Sequence, residues 1–268
     1  MAPTVQDTLK IIETIAPECL AESWDNTGLM IGDPANPVKT ILVGLDPTLS
    51  LLHEAQSLKA DLIITHHPII FHPLKSIHLG QPNGKFIDSA IRTEINIISS
   101  HTNLDSAHRG ISDILARLLG LKDITPLVPQ ESGESGCGLG RVGTLADPLS
   151  SQEFLERLRS TLTAPWLLGT GQRPEQIKKV AVCGGSCSDL AKNALAAGAQ
   201  VFVTAEVKHN IALWAEESGL WIIDAGHFAT ENIGIRHFAE QLATATANQF
   251  DNISIRVTEQ QTSPLNLM

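Results

Sequence analysis

Cysteine is scarce in this 268-residue chain: Cys19, Cys137, Cys183 and Cys187 are its only four. Only the last two are close, and C-x-x-x-C is neither a redox nor a zinc-knuckle spacing. Basic runs are missing too. The chain has 19 Lys+Arg against 29 Asp+Glu and a formal charge of −10, so the footprint of a phosphate-backbone binder is absent. No apolar stretch approaches the roughly 20 residues that span a bilayer. The N-terminus, MAPTVQDTLKIIETIAPECL, has no basic segment of the secretory type. These absences point to a reduced, cytoplasmic protein with neither nucleic acid nor membrane as a partner. A G-x-S-x-G elbow and a kinase signature set are likewise missing, which removes support for the standard covalent-nucleophile chemistries.

What is present is an ordinary globular composition, 43% hydrophobic and 18% charged, long enough for one large α/β domain or two small ones. Residues 4–17 place Leu9, Ile12, Ile15 and Ala16 on one helical face, and Pro17 ends the helix. TILVGLD (40–46), DLIIT (61–65) and INIISS (95–100) read as strands. Between and after them, 49–60, 84–94 and 111–120 read as helices, the last closed by Gly120. Such alternation predicts an α/β fold of mostly parallel sheets with helices on the faces. The stretch PQESGESGCGLGRVG (129–143) breaks the pattern. Its glycines lack the strand-then-helix context of a dinucleotide loop, and it reads as a linker.

Beyond that stretch the first pattern returns. KTILV (39–43) aligns with KKVAV (178–182) and KADLIIT (59–65) with GAQVFVT (198–204), both at a shift of 139 residues. HTNLD (101–105) aligns with HFATE (227–231), each following a strand and each opening on His and closing on an acid. The period is far too long for a solenoid, so this reads as an internal duplication of a βαβ-type module. The expected organisation is a first module over 1–128 joined by the C-terminal segment 224–268, the linker 129–143, and a second module over 144–223.

The chemistry-bearing residues fall at strand C-terminal ends, where open α/β sheets bind ligands. They are His66 and His67 in LIITHHPIIF, His101 and Asp105, and His227 with Glu231. Any one histidine ending a strand is usually satisfied locally, and His72, His78, His108, His209 and His237 are read that way. Matching placement in two repeats argues for the combined set, a mixed N/O group suited to Zn, Fe, Mn or Co rather than Ca or Mg. In regular β geometry His66 and His67 point to opposite faces, so they cannot chelate one ion together but can reach two ions. CGGS (183–186) reads as a tight turn before a Ser/Asp-capped helix, with phosphate binding by its backbone N–H groups as the other option. Trp24, Asp25 and Asn26 in SWDNTGLMIGD read as ordinary turn chemistry, with Trp24 able to stack on a ring at a cleft edge.

WDNTGLMIGD, LIITHHPIIF, SSHTNLD with GISDILARLLGL, RVG, CGGS and DAGHFATEN occur in this order. Over nearly the whole chain they resemble the GTP cyclohydrolase I type two homologue family, also called Nif-three-like proteins. The resemblance implies two interlinked α/β domains and a dinuclear metal centre between them. Its ligands would be His66, His67, Asp105, His227 and Glu231, with His101 close by; within the hydrolase reading, His101 is the candidate proton shuttle. It implies two divalent ions, homohexameric rings, and a small-molecule substrate, a guanine nucleotide or related purine opened by a metal-dependent hydrolase. The net charge of −10 is no obstacle to such an anion where two divalent cations reverse the local field. The alternative function is a metal-binding or protein-interaction protein without catalysis. The turn after VFVT departs from the family's Gly-Asp and reads Ala205–Glu206, and Cys187 stands where a small residue is commoner.

Overall fold

The computed structural model of the protein describes residues 3–130 and 136–268. The elements run α1 (Val5–Ile15), β1 (Gly28–Ile31), β2 (Thr40–Gly44), α2 (Leu49–Leu58), β3 (Leu62–Thr65), α3 (Pro82–Arg92), β4 (Asn96–Ser99) and α4 (Thr102–Ser106). They continue as α5 (Ile111–Leu118), β5 (Leu121–Pro129), β6 (Gly138–Ser150), α6 (Ser151–Leu162), β7 (Leu168–Thr170), β8 (Gln176–Val182) and α7 (Ala191–Ala196). Last come β9 (Val201–Thr204), α8 (His209–Ser218), β10 (Trp221–Asp224), α9 (His227–Ala247) and β11 (Ser254–Val257). The expected α/β class is the one found, and no helix among the described residues is long and apolar enough to cross a membrane.

The chain divides into two compact units, 1–104 with 235–262, and 105–234 with 263–268. The first holds a five-stranded sheet, β1-β4-β3-β2-β11, parallel except for the antiparallel edge strand β1. Its central strands β2, β3 and β4 are buried on both faces, so they read as continuous apolar runs rather than alternating ones. Leu42, Ile63 and Ile97 meet Leu51, Leu52, Ala55, Phe86 and Ala90 of the covering helices. The second unit holds a six-stranded sheet, β5-β6-β8-β9-β10-β7, in which β8, β9 and β10 are parallel. Period-two alternation sends Val180, Val182, Val201 and Val203 to one core and Ala181, Phe202 and Ile222 to the other.

The repeat is visible in strand register. Ile41 faces Leu62 across β2 and β3, and Val180 faces Val201 across β8 and β9, each residue of the second pair 139 positions after its counterpart. Each unit thus carries a parallel β-α-β-α-β run followed by a histidine at the end of its third strand. The spacing differs by one residue: His101 follows Ser99 by two positions, whereas His227 follows Asp224 by three.

Two expectations about organisation require correction. The first unit ends at Leu104 rather than near 128, because Leu115, Ala116, Leu119 and Leu121 pack into the core of the second sheet with Leu145, Phe154 and Val180. Residues 224–234 fall in the second unit for the same reason, with Ala225, Ala229 and Ile233 on that core. The stretch 129–143 is not a linker where it is described. Pro129 pairs with Gly138, Pro126 with Arg141, and Thr125 with Val142 in an antiparallel ladder; residues 131–135 lie outside the described residues. Glycine is required there for approach: at Gly138, φ is +146° and a Cβ would sit 2.2 Å from the Val128 carbonyl oxygen. Close backbone packing and a polar strand interior mimic linker composition.

Candidate metal centre

In the first unit, β3 ends at Thr65 and β4 at Ser99, and these residues pair side by side. His66 and His67 follow the one and His101 the other. One ring nitrogen from each lies within 4.8 Å of the others, with ring centroids 5.0, 5.1 and 5.5 Å apart. The expected opposition of His66 and His67 does not hold, because neither belongs to the strand. The Thr65 hydroxyl donates to the His67 carbonyl at 2.7 Å, curling the chain so that both imidazoles converge. They can therefore serve one ion or two.

Each of these rings is fixed through Nδ1. His66 Nδ1 donates to the Ser100 carbonyl at 2.9 Å, His67 Nδ1 to Asp46 Oδ1 at 2.7 Å, and His101 Nδ1 to Asp25 Oδ1 at 2.7 Å. A carbonyl or carboxylate only accepts, so Nδ1 carries the proton and Nε2 the lone pair. Outer carboxylates and carbonyls that set tautomer and ring orientation are the usual companions of metal-ligating histidines.

Asp25 is the most constrained of these partners. Its side chain is fully buried, and its other oxygen accepts from the backbone N–H and hydroxyl of Thr102. Burial works to raise its carboxyl, but hydrogen bonds from His101 and Thr102 and the charge of His101 outweigh it and hold the group far below the usual range. Asp25→Asn keeps the shape and removes the charge. Metal affinity of the variant is expected to fall by about 10- to 100-fold, measured by competition with a chromophoric chelator; an unchanged affinity would show that Asp25 has no part in ligand orientation.

In the second unit, Asp105 is buried in α4, and His227 opens α9 with Glu231 one turn on, so they share a face. His227 Nε2 lies 3.0 Å from Glu231 Oε2, a gap that an ion about 2.0–2.2 Å from each can bridge. Oxygens of Asp105 and Glu231 lie within 4.8 Å of each other. His227 Nδ1 lies 2.8 Å from Glu206 Oε1, which gives Glu206 the role that Asp46 and Asp25 have in the first unit. Glu206 sits at a left-handed φ of +52°, a conformation that costs a non-glycine residue about 1 kcal/mol or more.

The CGGS turn does not lead into the expected side-chain cap. The Gly185 N–H donates to Thr230 Oγ1 at 3.0 Å, and the residues that follow have no side-chain cap bond. Its glycines make room for the donor pair: a Cβ on Gly185, φ +68°, would sit 2.0 Å from Glu231 Oε1 and 3.2 Å from His227 Nε2. Cys187 nearby is pushed up in pKa by its hydrogen bond with Cys183, then by burial and by the charges of Cys183, Asp105 and Glu231, so it stays a thiol.

The described residues therefore include clustered His, Asp and Glu side chains able to hold a metal ion, a mixed N/O donor set that fits Zn, Fe, Mn or Co. His53, His72, His78, His108 and His209 are exposed and enter none of the metal-capable groups. Sequence reasoning did not single out Asp25, Asp46 and Glu206 as partners of these histidines. The one available signal was position, since Asp46 and Glu206 each lie two residues beyond a strand end.

Known proteins share this arrangement of sequence and fold. The chain is 36% identical over 228 residues to a "GTP cyclohydrolase 1 type 2 homolog" of Clostridium perfringens, covering 85% of this chain and 86% of that one. It is 39% identical over 204 residues to the Nostoc protein of the same name, covering 75% and 76%. Its fold matches the crystal structure of a Bacillus cereus protein related to NIF3 over 100% of both chains, with a TM-score of 0.93 and 25% identity. The family model for Duf34/NIF3 (NGG1p interacting factor 3) matches residues 3–264, and the chain belongs to that family.

Proposed function

We propose that this protein is a metal-dependent hydrolase using two divalent ions, Zn, Fe or Mn, held by His66, His67, Asp105, His227 and Glu231, and acting on a guanine nucleotide or related purine. One observation carries the metal reading: four histidines are each fixed through Nδ1 by an acceptor, as ligating imidazoles are. The names of the relatives support the substrate class. Bound divalent ions lower the pKa of water toward neutrality and polarise an acceptor atom of the substrate. The protein's own contribution is orientation and proton handling. Asp46, Asp25 and Glu206 hold the rings, and His101, with Nδ1 committed to Asp25, offers Nε2 as the atom that takes or returns a proton.

The test incubates Zn-, Fe- or Mn-loaded protein with GTP, GMP and adenine analogues, following purine absorbance and chromatographic products. Ring-opened product is expected. Failure of every metal form to turn over any of them would remove the purine hydrolase reading and leave metal binding standing. A second reading, a metal-binding interaction protein, is favoured by the family's own description as an interacting factor. Absence of an open coordination position on the loaded ions would favour it.

A further inference from the structure

Aromatic side chains are rare in this chain: four Trp, seven Phe and no Tyr. Among the described residues only two of them are exposed, Trp24 at 55% and Phe71 at 38%. These two lie together, with ring centroids 5.8 Å apart at 60°. Both also pack edge-on against His101, at 6.3 Å for Trp24 and 6.0 Å for Phe71. The first unit thus gathers its exposed aromatic surface beside its metal-capable histidines.

The pairing is built. Asn26 donates its side-chain amide to the carbonyl of Ile70, the residue before Phe71, and so ties the turn carrying Trp24 to the segment carrying Phe71. Asp25, between Trp24 and Asn26, fixes His101. Three consecutive residues therefore set one aromatic face, one imidazole and one loop in a common frame. Burial of either ring would be favourable, so a pair held outward against a histidine cluster by these hydrogen bonds is better explained by a ligand than by packing.

We propose that Trp24 and Phe71 form a stacking wall for a purine ring, with the ring's edge directed toward His101. The inference rests on the purine reading above and assigns it residues. A planar heteroaromatic ring suits the wall because it presents a π-face to the indole and phenyl groups, and stacking of this kind depends on ring shape rather than on particular hydrogen bonds. An anionic phosphate tail would have no part in it.

Calorimetric titration of GTP, GMP and inorganic triphosphate into metal-loaded wild type, Trp24→Ala, Phe71→Ala and Trp24→Phe tests this, with metal content measured on every sample. GTP and GMP affinities are expected to drop about 5- to 100-fold in each alanine variant and to recover largely in Trp24→Phe. Triphosphate affinity and metal content should stay at wild-type values. Equal GTP affinity in wild type and both alanine variants would overturn the wall, as would a wild type that binds neither nucleotide. A third contrary result is a changed sedimentation coefficient in the alanine variants at unchanged affinity. That outcome would assign the patch, together with exposed Leu74, Ile77 and Leu79, to a contact with another copy of the chain. Wall-dependent binding without turnover would keep this proposal and remove the hydrolase reading.

Discussion

His67→Ala and Glu231→Ala proteins are expected to bind divalent metal at least about 100-fold more weakly than wild type, since removing a proposed ligand costs no less than disturbing its outer partner. His67 supplies a ring already oriented by Asp46, and Glu231 is a buried carboxylate beside His227. Elemental analysis measures the loss, with far-UV circular dichroism to verify folding. His78→Ala is the control, because that ring is exposed and bonded to Ser76; it should match wild type. Equal metal in all four proteins would refute the ligand set. Such a result would leave the fold and the family membership untouched, because neither depends on these side chains.

The largest stability effect is expected at Arg141, whose guanidinium is buried in the second unit. All five of its N–H groups are used. Nε donates to Asp113 Oδ1 at 3.3 Å, Nη1 to the carbonyls of Gly138 and Gly140 at 2.6 and 2.8 Å, and Nη2 to those of Ser106 and Ala107 at 3.3 and 2.7 Å. The last two residues directly follow Asp105, so Arg141 braces the segment that carries a proposed ligand. Arg141→Met would leave a buried carboxylate and four carbonyls without this donor, at a cost of about 3–5 kcal/mol. A fall in melting temperature on the order of 10 °C should follow. The double variant Asp113→Asn, Arg141→Met should lose less than the single one, because no buried charge is left over. A single variant that melts with wild type would contradict this account.

Asp113 also sets an acid limit. Burial works to raise its carboxyl, but the Arg117 hydrogen bond and the charges of Arg141, Arg117 and His108 outweigh it and hold it below its ordinary value. A carboxyl lowered in the folded state contributes its full stability above the unfolded value and loses it as pH falls toward the folded one. Acid unfolding followed from about pH 4 downward should therefore be steeper for wild type than for Asp113→Asn.

Much of this was legible from local pattern. Apolar runs of four or five residues and amphipathic segments placed β2, α2, β3, α3, β4 and α5 within a few residues, because strand and helix periods depend on near neighbours. The 139-residue shift carried through to strand register, since paired parallel strands move together. The motif histidines also stood just beyond strand ends, where the topology requires the chain to leave the sheet. RVG was visible as a motif, yet nothing local revealed that its arginine is buried, because its acceptors come from 106–107, 113, 138 and 140.

By itself, the sequence determined the α/β class, the duplication and the identity of the candidate donors, all of which depend on composition and short-range spacing. Only the tertiary structure decided which groups aim those donors. His101 meets Asp25 across 76 positions, and His67 meets Asp46 across 21. It alone decided where the units divide and why a glycine-rich stretch is a strand. Those outcomes are set by long-range packing and by polar groups that must find partners once buried, and neither has a local signature in the chain.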